Sequence, residues 1–431
     1  MEGDAPTATD AIGRRDYLRA SATVVGGSTL LSGCLGELGG IRAAGADSST
    51  DWPTFAGDVG NTGATAAAGP SAATERWSLE TGPILTTPAV VDGVVYVGVR
   101  RSGDDNTGDD GGRLSAFDAD TGERQWSFDV AEWLSGSPAV VDGVVYAAGP
   151  TVDASEDGVE QEDTDHRVYA IDTDGTELWT ADVDGPGSVS PTVVDGTVYV
   201  ATWHGTHALE AETGDQRWHH GHDHATHTWG GLAVVDGTVF VGTSTEAYAL
   251  EATTGDLQWR YSPDDEPSRT WVAPAVVDGT AYLVSGRGEL VALDAETGDV
   301  QWRADASMPT QTPVVADGTL YAGLLSDSAQ EGGRIVAFDT ETGEERWTFR
   351  TDEPGATVAV GGDTAYVRTL EGVYALDVDD GEPRLDREFE STFGRPWQGA
   401  VTEEVTSMPA IADGALFVGS PSGGLYAIGE E

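Results

Sequence analysis

One stretch recurs along this chain, and its first copy reads Ala116-Phe117-Asp118-Ala119-Asp120-Thr121-Gly122-Glu123-Arg124-Gln125-Trp126. Two short apolar runs precede each copy, as in Pro138-Ala139-Val140-Val141-Asp142-Gly143-Val144-Val145-Tyr146, and Asp-Gly joins them in every unit except the seventh, which has Gly362-Asp363. Asp-Gly between apolar runs is a strong signal for a β-hairpin, because both central residues of that turn need positive φ. The Gly of Asp-x-x-Thr-Gly suits the left-handed position of a second, longer hairpin. Each unit therefore predicts four antiparallel strands.

The unit occurs eight times. The aromatic residue of its second strand recurs at spacings of 39 to 53 residues, at Tyr96, Tyr146, Tyr199, Phe240, Tyr282, Tyr321, Tyr366 and Phe417. A period of this length with four strands per unit is typical of a propeller. We therefore predict an all-β fold, an eight-bladed β-propeller of four-stranded blades that occupies residues 51–431 as one domain.

A tryptophan recurs on the fourth, outer strand of most units, and Phe389 replaces it in the seventh. A Trp at that place can wedge between adjacent sheets and bury a large apolar area. The eighth unit stops at Ile428 after three strands, so we expect the strand around Trp77 to complete that C-terminal blade and close the ring. The expected docking residues are Trp77, Trp126, Trp179, Trp218, Trp259, Trp302 and Trp347.

The charge of the chain is extreme. There are 74 Asp and Glu residues against 22 basic residues, all of them Arg, which gives a formal net charge of −52. Such a surface repels phosphates and excludes a nucleic-acid-binding role. With 39% hydrophobic residues and 13 Trp, the chain is not a disordered acidic protein. The absence of Lys fits a surface of hydrated carboxylates, and we infer a high-salt, archaeal host.

The first fifty residues predict an export signal and an anchor. Arg14-Arg15-Asp16-Tyr17-Leu18 precedes a short apolar segment and resembles a twin-arginine translocation signal. Leu31-Ser32-Gly33-Cys34 resembles a lipobox, in which Cys34 becomes the lipidated N-terminus; the alternative is a buried, apolar Cys34. We thus predict a signal over residues 1–33, a flexible tether over residues 34–50 and a lipid anchor on the extracytoplasmic face of the cell membrane.

The Ala-x-Asp-x-x-Thr-Gly-x-x-x-Trp element resembles the tryptophan-docking motif of the pyrroloquinoline quinone (PQQ) repeat, over nearly all of residues 75–431. The opening Trp52-Pro53-Thr54-Phe55-Ala56-Gly57-Asp58, with Asn61-Thr62-Gly63, is also similar to the start of such proteins. Two classes share this architecture. One comprises the quinoprotein dehydrogenases, and the other comprises BamB, an outer-membrane assembly lipoprotein, with its non-catalytic relatives.

Several residue patterns separate this chain from the dehydrogenase class. Its single Cys excludes the adjacent cysteines that many of those enzymes stack on the quinone, and no Cys-x-x-Cys-His haem motif occurs. Asn occurs only at Asn61 and Asn106, neither of them in a predicted core strand, so the family's calcium ligands cannot be matched. We therefore predict that PQQ is not bound.

Polar residues gather at the end of the propeller where the innermost strands begin. Small hydroxyl residues enter these strands, at Thr87, Ser137, Ser190, Thr312 and Ser407 among others, and Trp229, Trp271 and Trp397 lie in the same crossovers. They predict either the mouth of a ligand funnel or hydroxyls that only satisfy backbone groups at strand starts.

Histidine gives the sharpest local pattern. Seven of the eight His residues lie between residues 204 and 227, in one loop and in the crossover that leaves the same unit. We expect the two segments on one face but separated radially. Imidazole nitrogens suit zinc or copper, and the preferred ligands are His204, His222, His224 and His227; the alternative is a polar loop without metal.

We therefore expect a lipid-anchored, monomeric propeller that serves as a non-enzymatic binding or assembly scaffold with protein partners, like BamB. Two alternatives stay open. The first is a PQQ- or metal-dependent oxidoreductase that uses the funnel, and the second is a zinc- or copper-binding propeller.

Overall fold

The computed structural model describes residues 51–71, 74–84, 86–101, 111–130, 132–151, 165–187, 190–222, 231–262, 273–285, 288–306, 312–325, 332–351, 356–369, 373–384, 407–421 and 423–430. Within these ranges every regular element is a β-strand. None of the described segments forms a helix long and apolar enough to cross a membrane.

In chain order the strands are β1 (Ala64–Thr65), β2 (Glu75–Glu80), β3 (Ala89–Val91), β4 (Val94–Arg101), β5 (Gly111–Asp118), β6 (Arg124–Val130), β7 (Ala139–Val141), β8 (Val144–Pro150), β9 (His166–Asp172), β10 (Glu177–Val183), β11 (Thr192–Val194), β12 (Thr197–Ala201), β13 (Gly205–Glu210), β14 (Gln216–Gly221), β15 (Ala233–Val235), β16 (Thr238–Gly242), β17 (Ala247–Glu251), β18 (Leu257–Tyr261), β19 (Ala275–Val277), β20 (Thr280–Ser285), β21 (Glu289–Asp294), β22 (Val300–Asp305), β23 (Val314–Ala316), β24 (Thr319–Leu325), β25 (Gly333–Asp339), β26 (Glu345–Thr351), β27 (Thr357–Gly361), β28 (Thr364–Arg368), β29 (Val373–Asp377), β30 (Ala410–Ala412), β31 (Ala415–Gly419) and β32 (Gly424–Gly429).

The strands form eight four-stranded sheets, which are the blades of a propeller. Blades 1 to 6 each use four consecutive strands, from β3–β6 to β23–β26, and each begins with its innermost strand. Apolar side chains from neighbouring sheets pack together in the core. The prediction of an all-β, eight-bladed propeller with four-stranded blades is confirmed.

Blades 7 and 8 are completed by strands from the start of the chain. In blade 8, β2 pairs antiparallel with β32, and Trp77 lies opposite Ala427. In blade 7, the two-residue β1 pairs parallel with the inner strand β27, so the sheet gains its fourth described strand at the axis. The strand predicted around Phe389 lies outside the described residues.

The Asp-Gly pairs form the tight turns between the first two strands of the blades. Asp142 and Gly143 have φ values of 51° and 75°, and six further Asp-Gly pairs repeat this conformation, as a type I′ hairpin turn requires. In blade 7 the order is reversed, and Gly362 takes the positive φ, at 56°. These turns all lie at one end of the propeller, which we call the lower face; the crossovers between blades lie on the upper face.

The chain's own N-terminal residues fill the axis of the propeller. Residues 52–65, which we call the axial segment, run past the inner strands. Their carbonyl oxygens accept hydrogen bonds from the backbone N–H groups of those strands. The carbonyl oxygens of Trp52, Pro53, Val59, Gly60, Thr62 and Gly63 accept from Val90, Val140, Val234, Val276, Val315 and Val360, at 2.7–3.0 Å. These donors belong to six different blades. The inner edges of those strands, which a ring of sheets would otherwise leave without partners, are therefore satisfied.

Tryptophan side chains join successive blades. Each of the seven expected docking residues donates a hydrogen bond from Nε1 to a backbone carbonyl of the next blade, at 2.7–3.0 Å. Each ring also lies against an aromatic residue of its own blade, as Trp302 does against Tyr282 with ring centroids 5.9 Å apart. The side chains thus combine apolar burial with one fixed polar contact.

Candidate functional site

Hydroxyl groups at the starts of the innermost strands link neighbouring blades on the upper face, in a series that we call the hydroxyl relay. The Met408 N–H donates to Thr87 Oγ1 at 3.1 Å, the Thr87 N–H to Ser137 Oγ at 2.8 Å, and the Ser137 N–H to Ser190 Oγ at 3.0 Å. The relay runs from blade 8 through blades 1 and 2 to blade 3, and all four residues are buried. These hydroxyls therefore satisfy backbone groups, which is the second of the two interpretations that the sequence offered.

Three tryptophans were also expected at the ligand funnel. Trp229, Trp271 and Trp397 fall outside the described residues, so their role at a ligand mouth stays a prediction. The same holds for the lipidation of Cys34.

Polar side chains of the axial segment lie inside the propeller. The Asp58 carboxylate accepts hydrogen bonds from the Gly60 N–H at 2.9 Å, the Thr62 N–H at 3.0 Å and the Thr62 hydroxyl, and burial raises the pKa of this carboxyl. Asn61 is 1% exposed and donates from Nδ2 to the carbonyl of Pro274. Asn61 lies outside the predicted strands, so its only sequence signal is the family-like opening that contains it.

The structure brings the two histidine segments together. The His222 N–H donates to the carbonyl oxygen of His204 at 2.9 Å, so the expected radial separation of these segments is wrong at this point. The reason is that His222 extends the antiparallel β13–β14 pairing by one residue beyond Gly221. The His204 side chain turns toward blade 2, where its Nδ1 lies 3.1 Å from a carboxylate oxygen of Asp184.

The His222 side chain has its own partners. Its Nδ1 lies 3.2 Å from the Trp203 carbonyl, and its Nε2 contacts the hydroxyl of Tyr248. Burial lowers the pKa of His222 to about 4, so the ring is neutral at pH 7. A carbonyl only accepts, hence Nδ1 carries the proton, and Nε2 accepts from Tyr248. The Tyr248 oxygen can then accept from the Thr206 hydroxyl, 3.1 Å away.

A second pair of imidazoles is stacked next to this network. The rings of His207 and His219 lie with centroids 4.4 Å apart and an interplanar angle of 20°. Burial, together with the nearby His219, lowers the pKa of His207 to about 4. His207 also contacts the Asp184 carbonyl through Nε2, at 3.3 Å. A neutral ring at that position is consistent with close stacking of two imidazoles.

The described residues contain no group of three His, Cys, Asp or Glu side chains that could hold a metal ion. Of the four preferred ligands, His204 and His222 are neighbours through the backbone but point to different partners. His224 and His227 lie outside the described residues. A metal site of the predicted composition therefore depends on those two residues.

The family follows from the repeats. A profile of the family described as outer membrane protein assembly factor BamB matches residues 38–151, 110–270 and 266–431. The chain belongs to the BamB family. No curated protein matches the sequence.

Solved structures of the BamB family and of quinoprotein dehydrogenases share the fold. BamB from Moraxella catarrhalis is 17% identical, with 83% of this chain and 100% of that chain covered and a TM-score of 0.63. The quinohemoprotein alcohol dehydrogenase of Comamonas testosteroni is 15% identical, with 89% and 81% covered and a TM-score of 0.63. A europium-containing methanol dehydrogenase is 12% identical, with 89% and 99% covered and a TM-score of 0.65. At these identities the likeness concerns the fold, and the function must be argued from the site.

Proposed function

We propose that this protein is a lipid-anchored, extracytoplasmic propeller that serves as a non-enzymatic binding or assembly platform for other proteins. The observation that carries the proposal is the axial segment, whose carbonyl groups occupy the inner edges of six blades. The hydroxyl relay on the upper face supports it, because those groups are used between blades. A propeller whose centre is filled by its own chain offers its outer surfaces to a partner.

The membership of the BamB family supports an assembly role, since that family is described as an outer membrane protein assembly factor. We infer an archaeal host, which has no bacterial outer membrane, so the partners of this chain differ from those of BamB. The extreme acidity of the chain favours a partner with basic patches, through complementary charge.

The enzymatic alternative is tested directly. Purified protein in molar salt is incubated with PQQ and calcium, and dye reduction is followed across alcohols and aldose sugars. The platform proposal expects no turnover above that of a heat-unfolded sample. Turnover that depends on PQQ would contradict it and favour a quinoprotein dehydrogenase.

The binding role is tested by cross-linking in membranes at molar salt, followed by capture of this chain. We expect a discrete cross-linked protein that is lost when the acidic loop of residues 102–110 is replaced by a Gly-Ser linker of equal length. A matched control changes the lower face instead, with Asp195→Asn in a turn. Cross-linking that is equal in both variants, or absent from the unaltered chain, would contradict a platform that binds its partner through residues 102–110.

The anchor is tested by fractionation. Cys34→Ser is expected to move the protein from the membrane to the soluble fraction, because the lipid is its only predicted attachment. Replacing Arg14 and Arg15 by Lys is expected to hold it inside the cell. A Cys34→Ser protein that stays with the membrane would show that something else attaches it.

A second candidate function is zinc or copper binding by the histidine segments. The hydrogen bond between His222 and His204 favours it, because it brings the two segments to one place. Metal analysis of protein purified without a His tag, in high salt, tests it after dialysis against trace metal. One equivalent of zinc or copper, lost in His224→Gln with His227→Gln and kept in His166→Gln, is the expected result. Less than one equivalent in the unaltered protein would contradict it.

A further inference from the structure

A buried arginine lies between blades 7 and 8 near the upper face. Arg368 ends β28 and is 3% exposed. It donates from Nη1 to the carbonyl oxygen of Ser407 at 3.3 Å and from Nη2 to the carbonyl oxygen of Gly419 at 3.1 Å. The guanidinium therefore crosses from the second strand of one blade to two backbone segments of the next.

This cation differs from the other arginines in its partners. Arg113, Arg167 and Arg346, for example, each pair with a carboxylate on the surface. Arg368 has no carboxylate partner among the described residues. Burial lowers its pKa to about 10, so it still carries its charge at neutral pH. A buried charge without a counter-charge is strongly unfavourable.

The Nε edge of the Arg368 guanidinium makes no hydrogen bond with the described residues. The Nε–H of Arg368 is buried, and it has no acceptor within the described part of the chain. The Thr86 hydroxyl is likewise buried without a partner there, and it belongs to the residue that packs beside Gly419. Arg368 thus contacts Gly419 through its Nη2 donor, and the backbone of Thr86 lies beside the same glycine. Unpaired polar groups of this kind are rare in folded proteins.

The repeat does not supply a tryptophan at this junction, although a tryptophan joins the other blades. Seven junctions carry a Trp that donates to the next blade. Trp347 lies eight residues after Asp339, and the Leu376–Pro383 pairing keeps this register in blade 7, so the corresponding residue is Leu385 rather than the expected Phe389. A leucine side chain has no N–H to donate. In this part of the ring, Arg368 and the Thr357 hydroxyl supply polar links to Ser407.

We propose that the Nε edge of Arg368 binds a chloride ion, which completes the junction between blades 7 and 8. The donors select an anion, since a guanidinium has N–H groups and no acceptor. The 3% exposure of Arg368 favours a small anion over a side chain of another protein. The ion compensates the buried charge and gives the leftover N–H a partner.

Crystallography with bromide in place of chloride tests the site on the unaltered protein. Bromide scatters anomalously and replaces chloride in most sites, so we expect an anomalous peak in contact with Nε of Arg368. A data set without a peak at Arg368, from crystals grown in molar bromide, would overturn the proposal. This measurement decides the question even if variants of Arg368 do not fold.

Melting temperature tests the consequence in solution. At equal concentrations of sodium chloride and sodium methanesulfonate, we expect the protein to melt about 3 °C higher in chloride, since a bound ion stabilises only the folded state. Arg368→Gln should abolish that difference. Arg113→Gln, which removes an exposed arginine from a surface pair, should keep it. Equal chloride effects in all three proteins would contradict the proposal.

Discussion

The indole Nε1 of Trp218 donates a hydrogen bond to the carbonyl oxygen of Ala252, 2.9 Å away in the next blade. The same ring packs against Gly255, which has a φ of +74° in the turn between β17 and β18. A Cβ atom on Gly255 would lie 2.7 Å from Trp218 Cε3. The turn glycine therefore serves two purposes, because it allows the backbone conformation and leaves space for the tryptophan.

A comparison of Gly255→Ala with Gly237→Ala separates the clash with Trp218 from the strain of the left-handed backbone. We expect Gly255→Ala to lower the free energy of unfolding by about 1–3 kcal/mol through the clash, in addition to about 1 kcal/mol for the left-handed backbone. Gly237→Ala is the matched control, since Gly237 has a φ of +76° and no atom within 4 Å of its added Cβ. Denaturant unfolding at fixed salt gives both values. Equal losses in the two variants would show that the tryptophan can move aside at little cost.

The axial segment provides a second test. A Cβ on Gly60 would lie 2.6 Å from the carbonyl oxygen of Val276, while the Gly60 oxygen accepts the Val276 N–H at 2.7 Å. Gly60→Ala must therefore shift the segment, and we expect a loss of about 1–3 kcal/mol. Gly221→Ala is the control, because its added Cβ has no neighbour closer than 3.6 Å. If Gly60→Ala unfolds like Gly221→Ala, the segment is held more loosely than its hydrogen bonds indicate.

Acid is expected to destabilise the fold through buried histidine. Burial lowers the pKa of His166 to about 4, against about 6.5 in an unfolded chain. Between these values the unfolded state binds the proton and the folded state does not. Stability is therefore lost as the pH falls from about 6.5 toward 4, by up to about 1.4 kcal/mol per pH unit for this residue.

His166→Gln isolates this contribution from the other titrating groups. Its free energy of unfolding should fall less steeply with acid than that of the unaltered protein, so the gap between the two narrows from pH 7 to pH 5. A gap that stays constant over this range would mean that folding does not lower the pKa of His166.

Salt dependence follows from the charge. At a net charge of −52, repulsion between surface carboxylates opposes the compact state. The Debye length shortens from about 8 Å at physiological salt to about 3 Å at 1 M, so salt weakens that repulsion. We predict unfolding when the protein is diluted below physiological salt, followed by circular dichroism. Full stability there would contradict the high-salt inference.

Most of the fold was predictable because its signals are local. The Asp-Gly pairs and the Gly of Asp-x-x-Thr-Gly specify their own φ values, and the repeat period counts the blades. The axial segment was not predictable, because its contacts with six blades use backbone carbonyls. Backbone groups are the same in every residue, so such contacts leave no pattern in the side chains.

The candidate sites depend on contacts between distant residues. The sequence predicted the histidine segments, but it could not show that Tyr248 of the next blade would occupy Nε2 of His222. Arg368 was missed for a similar reason. A single Arg at the end of a strand resembles any surface cation, and only the packing of blade 8 buries it.

The axial segment also constrains how the molecule is made. Its residues are synthesised before the blades that they contact, and Gly63 must wait for Val360. Trp77, which follows the segment, must likewise wait for Phe417. Contacts between such distant parts of a chain slow folding, because loop closure comes before the stabilising contacts form. The axial segment therefore stays without its last partner until blade 7 has been made. The ring can close only when β32 is available to pair with β2, so these early strands are among the last to settle.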